Sequence, residues 1–559
     1  MAASNAKVSD LLRRYASALV LEGVDRFKVK AYRRAADTIE TLSEDVAKLV
    51  ARGGDLESLP GVGSAISAKI LEIVNTGKLP QLDRTLANLK PELVELATRP
   101  ALDPKQVMRV YKKLGINNLA DLKKRLDKGE IRESLGARVD YHIRQGLDDR
   151  PRILLWNAED TANRVEKYLQ AIPGVTQVAR VGSLRRKQET VGDLNFLVSG
   201  KNKAAILKAF MEFGSVQSKT LVRADTTRFK LADGRSVTLM MSNAAAWGLN
   251  LLMSTGSDAH LVDLRSTVKK GGLGLKALGK AGADEVQTYK KLGLAFIAPE
   301  LREGTGEVAA AQRGELPQLV ELKDLHGDLH MHTTASDGAN SIEEMAEAAR
   351  QRGYQYIAIT DHSQSLKITN GLTEKRLLQH IKAIDKLNAK LKSFTILKSA
   401  EVDILADGSL DYSNAILKKL DLTICSIHSR FALSSQLQTE RIMRAMDNPY
   451  FNILGHATGR LLLKREGYDP NIERLIEHAA QTGSYFEINS SPDRLDLSDE
   501  NARMAKDAGI KIAINTDAHS IRELDFIHGG LNQARRAWLE PTDVLNAYPL
   551  AKLKKLLAR

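Results

Sequence analysis

Nine side chains able to ligate a metal recur near the ends of apolar runs in the C-terminal part of this 559-residue chain. They are His330, His332, Asp337, His362, Glu401, His428, His456, Asp517 and His519. His330 and His332 stand two apart, which places both on one face of a strand. A single histidine at a strand end is more often a packed or surface residue than a ligand. A set this large is hard to explain without metal. The only cysteine, Cys425, lies inside the apolar run LDLTICSI, so the donors must be nitrogen and oxygen. Such donors suit Mn²⁺, Zn²⁺ or Fe²⁺. A cluster of these ions acidifies water and neutralises phosphate, so the chemistry indicated is phosphoester hydrolysis. Arg460, in GHATGRLLLKREGYD, is a candidate phosphate clamp because a guanidinium binds two oxygens at once. Arg465 is a weaker candidate, and either arginine could serve only in an ion pair.

A second stretch, VGSLRRKQETVGDLN over residues 181–195, has the form of a phosphate-gripping turn leading into a metal site. At its metal-facing end it carries one carboxylate, Asp193, where a second would be expected, and the next side chain on that face is Asn195. Two metal ions roughly 3.5–4 Å apart need both bridging and terminal carboxylates. One acid cannot seat such a pair.

The elements that must position these groups follow from periodicity. DLHMH, YQYIAITDH, FTILKSAEVD, LDLTICSIH, FNILGH, SYFEINSS and IKIAINTDAH read as strands, separated by helices such as SIEEMAEAARQRG and NIERLIEHAAQTG. Repeated strand–helix units imply parallel strands buried by helices. Polar groups at the C-terminal ends of successive strands mark the mouth of a β/α barrel, here a distorted seven-stranded one. Only SYFEINSS contributes no ligand to this reading.

The first 150 residues read as helical and basic. SDLLRRYASALVLEG and FKVKAYRRAADTIETL have helical spacing, with Ser9 as the expected N-cap. Lys28, Lys30, Arg33 and Arg34 surround Tyr32. In LESLPGVGSAISAKILEIVNTGKL the glycines Gly61 and Gly63 interrupt the pattern and Ser64 opens a new helix. Such a turn brings backbone N–H groups against a phosphate, with Lys69 one turn inside; the alternative is an ordinary tight turn. Residues 96–147 read as a second module, with Ala101-Leu102-Asp103 and Gly136 at its turns. The Gly-rich run KKGGLGLKALGKAG reads as a loop, since no strand–turn–helix context surrounds it.

Charge divides the chain. The formal net charge is +13, and residues 321–559 contain 31 Lys+Arg and 32 Asp+Glu, net −1, which leaves +14 for residues 1–320. A basic half joined to a neutral half is the footprint of a nucleic-acid grip attached to another activity.

Taken together, LPGVG, GSLRR…E…GD, the STGS turn at 254–257, PELREGTGEV and the histidine motifs resemble the bacterial-type family X DNA polymerases with a C-terminal PHP domain. The resemblance spans the chain. It implies an all-α helix-hairpin-helix domain over 1–150, an α+β nucleotidyltransferase-like palm and thumb over 151–318, and a PHP barrel over 319–559. It implies three divalent ions in the PHP cluster, and 3′-5′ exonuclease or related end-processing activity. It places the Gly-rich run in the thumb.

In that family the polymerase acids are Asp-x-Asp plus a third Asp on a neighbouring strand. Here Asp193 matches the first, Asn195 stands at the second and Thr238 at the third. Mg²⁺ or Mn²⁺ occupancy at that face should therefore collapse. The aromatic pair before Thr-Gly-Ser is Met253-Ser254, and Leu261 stands where an Asn is expected. Gly182, Ser183, Arg186, Thr255 and Gly256 match the family's triphosphate and turn contacts.

The leading expectation is a DNA-repair phosphoesterase that holds gapped or nicked DNA without sequence choice and processes its 3′ ends. The alternatives are an active gap-filling polymerase of base excision repair, a non-catalytic DNA-end-binding scaffold, and hydrolysis of a small phosphate ester. The N-terminus lacks an apolar signal core and no apolar run approaches a membrane span. A cytoplasmic, nucleoid-associated protein is expected, and the oligomeric state stays open, a monomer being compatible with the sequence.

Overall fold

The computed structural model describes the chain apart from residues 1–4, 23–25, 41, 43–44, 60, 88–101, 103, 117, 136–138, 141–142, 145–146, 148–151, 233, 271–283, 466 and 559. Ala101, Asp103, Gly136 and nearly all of the Gly-rich run lie outside the described residues. Two compact units result, 1–314 with 463–465, and 315–462 with 466–559.

The first unit opens with helices Asn5–Leu21, Arg26–Glu40, Val46–Ala51, Ser64–Thr76 and Pro80–Leu86. Their shared core includes Val8, Leu12, Tyr15, Tyr32, Ile39, Ile66, Ile70 and Ile73. Ser9 does not cap the first helix. It lies inside it, fully buried, because Val8 extends the apolar stripe upstream. Asn5 already accepts a hydrogen bond from the Val46 N–H at 2.6 Å. Helices Pro104–Leu114, Leu119–Asp127 and Glu130–Leu135 enclose a separate core that includes Val107, Leu122 and Ile131.

The mixed sheet of this unit follows. Its strands are β2 (Val175–Val181), β4 (Leu194–Gly200), β5 (Val216–Arg223), β6 (Thr226–Leu231) and β7 (Ser236–Ser242), and β1 (Ile153–Leu154) pairs separately with β3 (Thr190–Val191). The order is β2-β4-β7-β6-β5, with β4 and β7 parallel. Phe196, Phe210, Phe213 and Phe229 fill the core on which helix Leu155–Ala171 packs.

The motif REGTGE at 302–307 is a buried polar knot. Arg302 is fully buried and donates to Glu285 Oε1 at 2.6 Å and to the Ile297 carbonyl. Arg185 reaches the same carboxylate at 2.7 Å. Glu307 accepts from the Gly304 and Thr305 N–H groups and lies 2.6 Å from His260 Nδ1. Burial alone would raise the Glu285 pKa, but the two arginines hold it below the ordinary value. The pair's contribution to stability is therefore complete above the unfolded-state pKa and is lost as pH falls through the folded-state one. Glu285→Gln is expected to destabilise this unit by about 3 kcal/mol, because it strands a buried guanidinium. Denaturant unfolding at neutral pH measures the loss, and the difference from the parent should shrink in acid.

In the second unit the described strands pair with one another in parallel, and two isolated antiparallel bridges, Ile404 to Leu410 and Asn489 to Asp496, lie outside those pairings. The strands are β8 (Gly327–Asp328), β9 (Tyr356–Ile359), β10 (Thr395–Lys398), β11 (Glu401–Asp403), β12 (Ile424–Ser426), β13 (Ile453–Leu454), β14 (Tyr485–Asn489) and β15 (Ile512–Asn515), in two sheets ordered β10-β9-β8 and β11-β12-β13-β14-β15. Isolated parallel bridges join His362 to Glu401 and Met331 to Ala518. Alternate residues serve two cores. Ile357, Ile359, Cys425 and Leu454 face one, while Tyr356, Ala358, Ile424 and Ile453 face another closed by Leu553 and Leu557 of the last helix. Burial on both faces explains why these strands read as continuous apolar runs. Among the described residues, no helix is long and apolar enough to cross a membrane.

Candidate metal centre

The chain beyond β8 continues extended through His332. The His332 N–H donates to the Ala518 carbonyl at 2.8 Å, and the Asp517 N–H donates to the His330 carbonyl at 2.9 Å. Met331 turns into the apolar core, so His330 and His332 face the other way together. The His362–Glu401 bridge sets the ends of β9 and β11 side by side.

All nine expected ligands converge. Three groups have ligand atoms within 4.8 Å of one another: His332, Asp337, His362 and His519; His330, His332 and Asp517; and His362, Glu401 and His428. His456 joins through Nε2, 2.9 Å from Glu401 Oε1. Burial and charge set the titration of these groups. Burial, with the neighbouring His362 and His519, lowers the His332 pKa to about 4. Burial opposes protonation of His428 and His519 too, but Glu401 and Asp403 raise the first to about 10, and Asp337 and Asp517 raise the second to about 9. Burial would raise Glu401 and Asp517 as well, and the surrounding imidazoles hold both well below the carboxylate range.

His330 Nε2, His332 Nδ1 and His456 Nδ1 are buried and find no hydrogen-bond partner among the described residues, and His362 Nδ1 stands 2.8 Å from Glu401 Oε2. A buried nitrogen left this way costs about 1–3 kcal/mol. Three of them, with His362 and the buried carboxylates, form a donor set that fits divalent ions.

Several residues that order the centre escaped the sequence reading. Glu487, on the strand thought to contribute nothing, is fully buried and lies 2.7 Å from His330 Nδ1. Its other oxygen accepts from the His456 N–H at 3.0 Å. Asp403 lies 2.6 Å from His428 Nδ1. Asp361 accepts from the Thr333 and Ser336 N–H groups and so ties down the loop that carries Asp337. An acid within an apolar strand was the available signal for Glu487 and Asp403.

Arg460, expected as the phosphate clamp, instead directs Nε to the Arg494 carbonyl at 3.0 Å and Nη2 to the Leu495 carbonyl. It fastens a loop. That loop presents Arg494, whose Nε is 3.6 Å from Asp517 Oδ2. Burial lowers the His456 pKa, and the charge of Arg494 lowers it further. Arg465 falls in the segment 463–465, which groups with the first unit.

The first unit holds the other expected residues. Asn195 and Thr238 are register partners on β4 and β7, and Arg228 is the partner of Thr238 on β6. Asn195 donates to Asp193 Oδ1 at 3.0 Å, and Thr238 is buried. This face therefore gathers one carboxylate, two neutral side chains and an arginine. Gly182 has φ of 63° and would bring a Cβ within 3.2 Å of Asn195 Nδ2. It leads into a turn with Ser183, whose carbonyl accepts from the Gln188 N–H. Arg186 is tied to Glu303 at 2.8 Å and to the Thr255 carbonyl, and Gly256 ends helix Trp247–Thr255.

In the hairpin, Gly61 has φ of 81°, Val62 is buried beneath the turn, and Gly63 caps helix Ser64–Thr76. Gly61, Gly63 and Ser64 are exposed. Lys69 Nζ stands 5.7 Å from the Tyr32 ring centre.

Comparison with known proteins agrees with this layout. The helix-hairpin-helix domain family matches residues 3–79, and the PHP domain family matches residues 328–491. Part of the chain is similar to a probable phosphatase of Thermoanaerobacter sp. (strain X514), 33% identical over 41% of this chain and 93% of the relative. A probable phosphatase of Caldanaerobacter subterraneus subsp. tengcongensis is 33% identical over 34% of this chain and 75% of its own. Nearly the whole chain is similar to the DNA polymerase/3'-5' exonuclease PolX of Bacillus subtilis (strain 168), 35% identical over 98% of both chains. The chain thus belongs to the bacterial-type family X DNA polymerases that carry a C-terminal PHP domain.

Proposed function

We propose that this chain is a DNA-repair phosphoesterase that removes 3′-terminal nucleotides or 3′-blocking phosphates through its PHP domain, and that its nucleotidyl-transfer face has lost polymerisation. The observation that carries the reading is a contrast in acids. Asp337, Glu401 and Asp517 sit among six histidines in overlapping groups, whereas Asp193 is accompanied by Asn195 on β4, Thr238 on β7 and Arg228 on β6.

Pairing supports a distorted seven-stranded barrel in this reading. With β10 and β11 counted as one interrupted strand, β8-β9-β10/11-β12-β13-β14-β15 returns to β8 through the Met331–Ala518 bridge. The ligands then cluster at its C-terminal mouth. Residues 1–150 act as the DNA grip, 151–318 as palm and thumb, and 319–559 as the PHP module. Because the three groups share His332 and His362, three ions, with Mn²⁺ first, fit the donors. Bound there, divalent ions supply acidified water near neutral pH and positive charge for the phosphate.

The protein's own side chains do the positioning. Glu487 takes the Nδ1 side of His330 and leaves Nε2 facing the cluster. Arg494 stands beside Asp517, so its guanidinium would meet a phosphate held at the cluster. Arg494→Ala is expected to lower kcat/KM for DNA ends about tenfold to a hundredfold, since charge-assisted contacts to phosphate are among the stronger hydrogen bonds. Steady-state kinetics checks it, with Arg494→Lys retaining part of the rate.

The excess of +14 over residues 1–320 supports sequence-independent binding of gapped or nicked DNA. The same reading places the protein in the cytoplasm with the nucleoid. A second reading, gap-filling synthesis, draws on the name of the B. subtilis relative. The test of the first is a labelled 3′-recessed duplex with Mn²⁺. Release of 3′-terminal nucleotides that stops on chelation supports it, and an intact duplex overturns it.

A further inference from the structure

Near the ligand cluster stands an aromatic pair that phosphoester chemistry does not require. Phe431 follows His428 by three residues, a reach of at most about 11 Å. Phe431 as a whole is 37% exposed. It stacks on Tyr468 with ring centres 5.8 Å apart and planes inclined by 30°. Tyr468 is 5% exposed, and its hydroxyl donates to the carbonyl of the ligand His456 at 3.5 Å. The backing is built into the fold. Gly459 has φ of 60°, and a Cβ there would lie 2.3 Å from the Tyr468 ring.

The loop that carries Phe431 is held at both ends. The buried Arg441 donates to the Ser429 carbonyl at 3.0 Å and to the carbonyls of Ile404 and Leu405. At the other end Ser434 caps helix Ser435–Met446. An exposed aromatic on a rigid loop, with the exposed Arg430 beside it, has the chemistry that stacks on a nucleobase and meets its backbone.

We infer that Phe431, backed by Tyr468, is the platform on which the 3′-terminal nucleobase of DNA stacks while its phosphodiester enters the ligand cluster. The inference rests on the proposed function and adds to it a reason why a nucleic acid, rather than any phosphate ester, is preferred. Stacking on an aromatic platform tolerates every base, which matches a sequence-independent grip.

The test uses the full-length protein with Mn²⁺ and two single strands that differ only at the 3′ end, thymidine in one and an abasic tetrahydrofuran residue in the other. The parent should prefer the thymidine end. In Phe431→Ala the ratio of kcat/KM values should fall about tenfold, while Phe431→Trp should keep it. A ratio within twofold of the parent's in Phe431→Ala overturns the inference and leaves the proposed function standing. Absence of hydrolysis of both ends by the parent overturns the function reading and this inference with it. Circular dichroism establishes that each variant is folded.

Discussion

Asp517→Asn is expected to reduce release of 3′-terminal nucleotides by on the order of a thousandfold. The substitution keeps shape and removes one formal charge. Asp517 Oδ1 lies 3.1 Å from His332 Nε2 and 3.4 Å from His330 Nε2, and Oδ2 accepts from Asn489 at 3.0 Å. An asparagine can keep the contact with Asn489 through its carbonyl oxygen, so the fold should survive. It cannot supply the negative oxygen that hard or borderline cations require. A loss of several kcal/mol in transition-state charge stabilisation corresponds to that factor in rate. The same preparation should bind less metal by elemental analysis. Parent-like turnover together with reduced metal would remove the cluster from the chemistry.

The second large effect is a gain. The parent should extend a primer no better than Asp193→Ala. The double variant Asn195→Asp, Thr238→Asp should extend it at least about tenfold above that background with Mg²⁺ or Mn²⁺. Positions 195 and 238 are adjacent on parallel β4 and β7, and the side chain at 195 reaches Asp193. Two new carboxylates there restore the negative charge that a pair of dications needs. Arg228, across from position 238, competes for the new charge, so full family rates are not expected. Extension by the parent that disappears in Asp193→Ala would show that Asn195 and Thr238 suffice as neutral ligands.

The candidate ligands were legible in the sequence because metal chemistry accepts few residue types. Histidines at i and i+2 after an apolar run have few other uses. The parallel sheet was legible for a similar reason, since strands buried on both faces read as unbroken apolar runs, as in YQYIAIT. What supports the ligands was harder to see. Glu487 looked like one acid in SYFEINSS, and only the fold shows that it orders His330 and His456 at once. Arg460 binds backbone carbonyls while Arg494 faces Asp517, a difference the sequence hides because loops have no periodicity. Nothing local distinguishes a guanidinium that holds carbonyls from one that faces an acid. Ser9 failed as a cap because capping residues are common and the preceding Val8 already belonged to the buried stripe. The reverse holds for REGTGE, which was recognisable as a motif while its physical basis, a buried arginine between two elements, was visible only in three dimensions.

The most direct test places both chemistries in one tube: purified protein, a 5′-labelled primer on a template, all four deoxynucleoside triphosphates and Mn²⁺. Primers that only shorten, with shortening abolished by Asp517→Asn, are the result expected of a chain whose acids survive in one site and not in the other. Primers that lengthen, with lengthening abolished by Asp193→Ala and shortening indifferent to Asp517→Asn, would contradict it.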